Sequence, residues 1–180
     1  INKKGEAAQI VEDIKNGESV TREPKYEQRA FVEGADDIGN TYIEIDYTNQ
    51  HLWYYKDGSL VVDSDIVSGN LNNGNGSPDG GFKVISRQSP ATLKGEDYES
   101  DVTYFMPFAY NVGLHDASWR SSFGGSIYKN GGSHGCINLP YDAADTIYKN
   151  VELGTPVVAY YREDVKLTSN NAKVSNAYSY

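Results

Sequence analysis

A chain of 180 residues is long enough for one sizeable domain plus a fragment and can bury a core without cross-links. Its 16 Lys and Arg against 25 Asp and Glu give a formal charge of −9, which disfavours nucleic acid and anionic lipid as partners. The single cysteine forms no intrachain disulfide, and no apolar run approaches the roughly 18 to 20 residues of a membrane span.

In chain order, "EAAQIVEDIKNGE" sets Ala7, Ile10, Val11 and Ile14 at helical spacing and stops at Asn16-Gly17, so a short amphipathic helix is expected. The polar stretch after it is broken by Pro24. Residues 1–37 are therefore expected to be the end of an upstream domain plus a linker, with a docked N-terminal extension as the alternative. Without a signal-peptide core the chain is expected to be either cytosolic or an excised piece, and the start on Ile1 rather than Met favours excision from something longer. From Gly39 the period changes to two. "TYIEIDY" alternates Ile43, Ile45 and Tyr47 against Tyr42, Glu44 and Asp46, as a half-buried strand does. "HLWYY" and "LVVDSDIV" flank Asp57-Gly58, a hairpin signal.

Gly69 to Gly81 is too rich in Gly and Asn for a regular element, and "FKVIS" resumes as a strand. Residues 90–101 are polar. "VTYFMPFAYNVGLH" is aromatic strand material interrupted by Pro107 and suited to lining a cleft. Asp142 is a candidate N-cap for a helix carrying Ala143, Ala144, Ile147, Tyr148 and Val151 on one stripe and stopping at Gly154. "TPVVAYY" is a final strand, and residues 164–180 form a loose tail. The expected class is mainly β: a β-sandwich or partly closed barrel with one main helix after the cysteine, preceded by the short N-terminal helix.

The cysteine lies in "GGSHGCINLP". A solitary Cys is ordinarily a small buried hydrophobe, but Gly131, Gly132 and Gly135 forfeit packing and permit close backbone approach, as a substrate cradle requires. In an extended segment, His134 and Cys136 share a face. His115, His134 and Cys136 together admit three readings. A zinc site is one, although "HGC" matches no common ligand spacing; a base-assisted thiol nucleophile is the second, and purely structural histidines the third.

His115, 17 intervening residues and then Ser133-His134-Gly135-Cys136-Ile137-Asn138 resemble the signature of L,D-transpeptidase (YkuD-type) catalytic domains. "YIEIDYTNQHLWYYKDGSLV", "GSPDGGFKV" and "YFMPF" look similar to that family's opening strands, following loop and pre-histidine stretch, so the resemblance covers Ile38 to Arg162. It implies a catalytic domain over 38–163. Residues 1–37 would then be the tail of the repeat domain that precedes it in some Gram-positive members.

The implied activity is peptidoglycan cross-linking. Cys136 attacks the bond between residues 3 and 4 of a donor tetrapeptide stem, releases D-Ala, forms a thioester and passes the acyl group to an acceptor-stem amine, giving a 3-3 cross-link. His115 would be the base, oriented by the Asp116 backbone carbonyl, with Gly135 and Cys136 amides as the oxyanion hole. Ser133 and His134 would shape the loop beside the substrate, and His134 is the alternative base. Tyr104 and Met106 would wall the donor groove. At Asn138 many members carry Arg, so an amide there suggests a neutral or amidated donor group.

No cofactor or metal is implied. The expected partners are stem peptides, the expected state a monomer, and the expected location the cell wall, with anchoring through a missing N-terminal region. Acylation by carbapenems follows from the same thioester chemistry. L,D-carboxypeptidase activity and a wall-peptide cysteine peptidase are the rival chemistries, the latter disfavoured because papain-like enzymes place Cys before His. A non-catalytic wall-binding module would have no need of the thiol.

Overall fold

The period-2 segments form strands where the alternation places them: β1 spans Tyr42–Asp46, β2 His51–Lys56 and β3 Ser59–Asp65. Asp57 and Gly58 close the β2–β3 hairpin with φ of 51° and 78°, the positive values whose twist matches the flanking strands. These elements come from a computed structural model that describes residues 1–17, 19–26, 30–31, 37–95 and 98–168. The chain divides into two units, Ile1–Asp37 and Ile38–Tyr180.

In the first unit α1 (Lys3–Asn16) starts where Asn2 Oδ1 accepts from the Gly5 amide at 2.7 Å, and it ends on Gly17 in the left-handed region. Both caps satisfy backbone groups that a helix end leaves open.

In the second unit the remaining strands are β4 (Gly80–Lys83), β5 (Ala91–Lys94), β6 (Glu99–Val102), β7 (Phe105–Ala109), β8 (Val112–Asp116), β9 (Ile137–Leu139) and β10 (Pro156–Tyr160). They make a five-stranded sheet ordered β3-β2-β1-β10-β4, a three-stranded sheet β7-β8-β9 and the two-stranded hairpin β5-β6. Ile45, Phe82, Phe108, Leu114, Leu139 and Val157, drawn from both larger sheets, share one buried core. Helix α3 (Tyr141–Asn150) adds Ala144 and Ile147 to it. The architecture is mainly β, as expected.

Four details depart from the sequence reading. Residues 90–101 contain the β5–β6 hairpin; its burial is slight, so apolar alternation left no trace of it. Strand β4 begins at Gly80, inside the Gly/Asn-rich stretch, and ends at Lys83. A second short helix, α2 (Ile127–Gly131), precedes the cysteine loop. Finally, α3 is capped at Pro140, which places Asp142 in the first turn, where its charge favours the helix dipole.

Asp46 also breaks the alternation. It is fully buried, with its oxygens accepting from the Thr48 and Asn49 amides, Asn49 Nδ2 and Arg162 Nε at 2.6–3.0 Å. Arg162 follows β10, so this carboxylate ties the end of β1 to the chain leaving its parallel partner. No helix among the described residues is long and apolar enough to cross a membrane. The predicted tail from 169 onward lies outside the described residues.

Candidate active site

Cys136 precedes β9, the edge strand paired in parallel with β8, and the ladder sets His115 opposite Asn138. Register partners project on the same side of a sheet, so β8 and β9 deliver both side chains to one place. The loop before β9 is held by two hydroxyls. Ser77 Oγ donates to the Gly135 carbonyl at 2.6 Å and accepts from the Gly69 amide at 2.9 Å. Ser133 Oγ donates to the Cys136 carbonyl at 2.5 Å and accepts from the Gly135 amide at 3.0 Å. Gly135 has φ of 127°, which other residues rarely adopt, and a Cβ on Gly132 would lie 2.5 Å from the Asn70 nitrogen.

His115 is 3 % exposed. Its Nδ1 lies 2.8 Å from the Asp116 carbonyl and its Nε2 3.0 Å from Asn138 Nδ2, while Asn138 Oδ1 lies 2.7 Å from Arg120 Nε. Arg120 only donates, so the oxygen of the Asn138 amide faces it and the NH₂ faces His115. An NH₂ likewise only donates, which makes Nε2 an acceptor and puts the ring proton on Nδ1, toward the Asp116 carbonyl. Burial lowers the His115 pKa below its ordinary 6.5; the Asp116 carbonyl opposes this and the nearby Arg120 charge reinforces it. The imidazole is neutral, and its Nε2 lone pair accepts from Asn138 on a ring that lines the cleft.

The Cys136 thiol donates to the Asn111 carbonyl at 3.7 Å, and burial pushes its pKa up to about 11, partly offset by the Gly113 backbone. Thiol and imidazole are thus both uncharged and both open to the same cleft.

Residues 40–158 match the family model for the YkuD L,D-transpeptidase catalytic domain. The chain belongs to this family. It is 40 % identical to a crystallised cysteine-to-serine mutant of the Enterococcus faecium L,D-transpeptidase, covering 89 % of this chain and 65 % of that one with a TM-score of 0.68. The catalytic domain of an E. faecium L,D-transpeptidase acylated by ertapenem is 46 % identical over 67 % of this chain and 97 % of that one, TM-score 0.61. An L,D-transpeptidase from Mycobacterium smegmatis, 22 % identical over 67 % of this chain and 58 % of that one with a TM-score of 0.58, shares the fold. No curated protein matches.

Two clefts meet at the thiol of this L,D-transpeptidase domain. One, of about 230 Å³, is lined by His115, Trp119, Arg120, Ser133, Asn138 and Cys136 among others. The other, of about 590 Å³, runs past Gln88, Thr92, Phe105, Pro107, Tyr110 and Asn111 to Cys136. Leu93 and Tyr98, from the β5–β6 hairpin and its turn, border both.

Several expected site residues lie elsewhere or act differently. Met106 is fully buried in the core, and Tyr104 donates from its hydroxyl to Asp145 at 2.6 Å while its ring packs on Tyr148, so neither walls a groove. Phe105 and Pro107, on the opposite face of β7, do so instead. All five β7 residues are buried, so no polar position marked which face is which. Asn138 is 1 % exposed with its amide spent on Arg120 and His115, which leaves no amide group to meet a donor. The Gly135 amide is engaged by Ser133 rather than open to solvent. His134 stacks on Tyr98 with ring centroids 4.4 Å apart.

Among the described residues no three His, Cys, Asp or Glu side chains group as a metal site. Sequence reasoning missed Trp119, whose ring lies 5.8 Å from that of His115, as well as Arg120 and Asn111. The available signal was "SWR", four and five residues past His115: a bulky aromatic and a cation directly after the motif histidine.

Proposed function

We propose that this domain is a peptidoglycan L,D-transpeptidase in which Cys136 is the nucleophile and His115 the base. The observation that carries the reading is the fixed tautomer of His115, which leaves Nε2 basic on a ring that lines the same cleft as the only thiol of the chain. The attack targets the amide between residues 3 and 4 of a tetrapeptide stem. Nε2 exchanges its bond from Asn138 for one from the thiol and takes its proton as sulfur adds to the carbonyl carbon. The oxyanion is met by the Cys136 amide, joined by Gly135 once Ser133 releases it; one such donor is worth about 10²-fold in rate.

His115 then protonates the leaving nitrogen, D-Ala departs, and a thioester remains. An acceptor-stem amine entering by the other cleft attacks the thioester, closing a 3-3 cross-link and restoring the thiol. The two clefts meeting at Cys136 suit a donor and an acceptor held at once. A relative acylated by ertapenem supports the same attack on a carbapenem lactam here. The chain spans 65 % of its E. faecium relative, and we assign the whole protein to the cell wall, with residues 1–37 continuing an upstream domain.

Incubation with a tetrapeptide stem, followed by mass spectrometry, tests the reading. Free D-Ala together with a cross-linked dimer is expected, and Cys136→Ala should yield neither. D-Ala without dimer means a carboxypeptidase, and activity surviving in Cys136→Ala removes the nucleophile.

A further inference from the structure

Arg120 stands out in the first cleft. Its one side-chain hydrogen bond to a described residue is Nε–H to Asn138 Oδ1 at 2.7 Å, which leaves both Nη groups without a described acceptor. It is partly buried, and desolvation alone shifts its pKa, downward; among the described residues no carboxylate holds it. The acid nearest in sequence, Asp116, turns its oxygens to the Thr103 and Tyr104 amides at 3.2 and 2.7 Å. A desolvated guanidinium without a counter-ion is a costly arrangement that an incoming anion relieves.

The position of this cation fixes what the anion is. Arg120 is one amide group from the proton-transferring nitrogen, through Asn138 Oδ1 at 2.7 Å and from Nδ2 to His115 Nε2 at 3.0 Å. When the scissile C–N bond breaks, the nitrogen takes the proton that Nε2 received from the thiol, so the leaving amine lies at Nε2. The carboxylate of an amino acid is a single carbon removed from its amine. A terminal residue leaving at His115 therefore carries its carboxylate to the guanidinium.

We infer that Arg120 is the receptor for the free α-carboxylate of the residue that departs, which makes the enzyme selective for donors whose fourth residue is uncapped. This rests on the transpeptidase reading above. It also replaces the expectation that Asn138 marks a neutral donor group: the charged fork is present, contributed by the loop after β8 instead of by β9. Arg120 and Asn138 have separate tasks, since the amide orients His115 while the free Nη groups take the substrate.

The test compares two donors, a tetrapeptide with a free terminal carboxylate and the same peptide ending in a carboxamide, by kcat/KM for release of the fourth residue. Wild type should prefer the carboxylate by about 10- to 100-fold, the worth of hydrogen bonds to a charged group. In Arg120→Gln the ratio should fall to near one, whatever both donors lose through Asn138; in Arg120→Lys part of the preference should return. The ratio is insensitive to a general loss of structure, which lowers both rates together.

A wild-type ratio near one, or a preference that survives in Arg120→Gln, overturns the assignment while leaving the transpeptidase intact. Wild type that processes neither donor sinks the transpeptidase reading, and the receptor with it.

Discussion

Replacing Asn138 by Asp changes one atom type and reverses a hydrogen bond. Nδ2 now donates to His115 Nε2 at 3.0 Å; a carboxylate oxygen there only accepts, so the ring must carry its proton on Nε2 to keep the contact. A full charge about 4 Å from the imidazolium contributes roughly 4 kcal/mol at an effective dielectric near 20, and the Arg120 charge, present before and after the substitution, drops out of the difference. That ~4 kcal/mol corresponds to an upper bound of about 3 pH units.

In the wild-type protein His115 is neutral down to some point below pH 6.5, because burial and Arg120 both hold its proton affinity down. Activity should therefore hold at neutral pH and fall only as pH drops through that lowered value. In Asn138→Asp the acid limb of the profile should move alkaline by up to about 3 units. The assay is kcat/KM for D-Ala release between pH 5 and 9. Asn138→Leu, which deletes the contact without adding charge, should slow the reaction and leave the limb below pH 6.5. An acid limb unmoved in Asn138→Asp would refute the claim that Asn138 sets the charge state of His115.

Three further outcomes follow from the same geometry. Asp46→Ala leaves two amides without their acceptor and releases the exposed Arg162, and should cost about 1–3 kcal/mol in urea unfolding; no measurable loss would mean the cluster is solvated. His115 has a folded pKa below its unfolded 6.5, so below that pH the unfolded chain binds the extra proton. Its contribution to stability should decline as pH falls under 6.5, by up to about 1.4 kcal/mol per unit, and His115→Gln should flatten that slope in denaturation curves. Alkylation of free enzyme by iodoacetamide should be slow at pH 8 and still rising tenfold per unit at pH 10, since the thiol titrates near 11; a plateau by pH 9 would contradict this.

Elements with a clean period and a stop signal were legible in the sequence: β1 through its Ile43 and Ile45 alternation, the β2–β3 hairpin through Asp57-Gly58, and α3 through its apolar stripe. The β5–β6 hairpin was not, because two strands on the rim of a cleft bury too little to impose a pattern. Strand β7 failed for the opposite reason: with both faces buried, Tyr104 and Met106 were as plausible cleft walls as Phe105 and Pro107.

His115 and Cys136 could be paired through a spaced motif. What Asn138 does could not be read from its type, because an amide's role depends on which groups reach it first, and Arg120 reaches it from a loop 18 residues away in the chain.

The central sheet also imposes a timetable. Strand β10 lies between β1 and β4, so β4 has no neighbour in that sheet until the chain has been made through Tyr160. Pairings between Ile43 and Val157 span nearly the whole catalytic unit, and closing such long loops comes before any reward from the contacts they allow. The Cys136 loop and the β7-β8-β9 sheet that carries it are complete by Pro140, whereas the five-stranded sheet waits for β10. During synthesis Cys136 and the small sheet that carries it are therefore made before the larger sheet on the other side of the core can close.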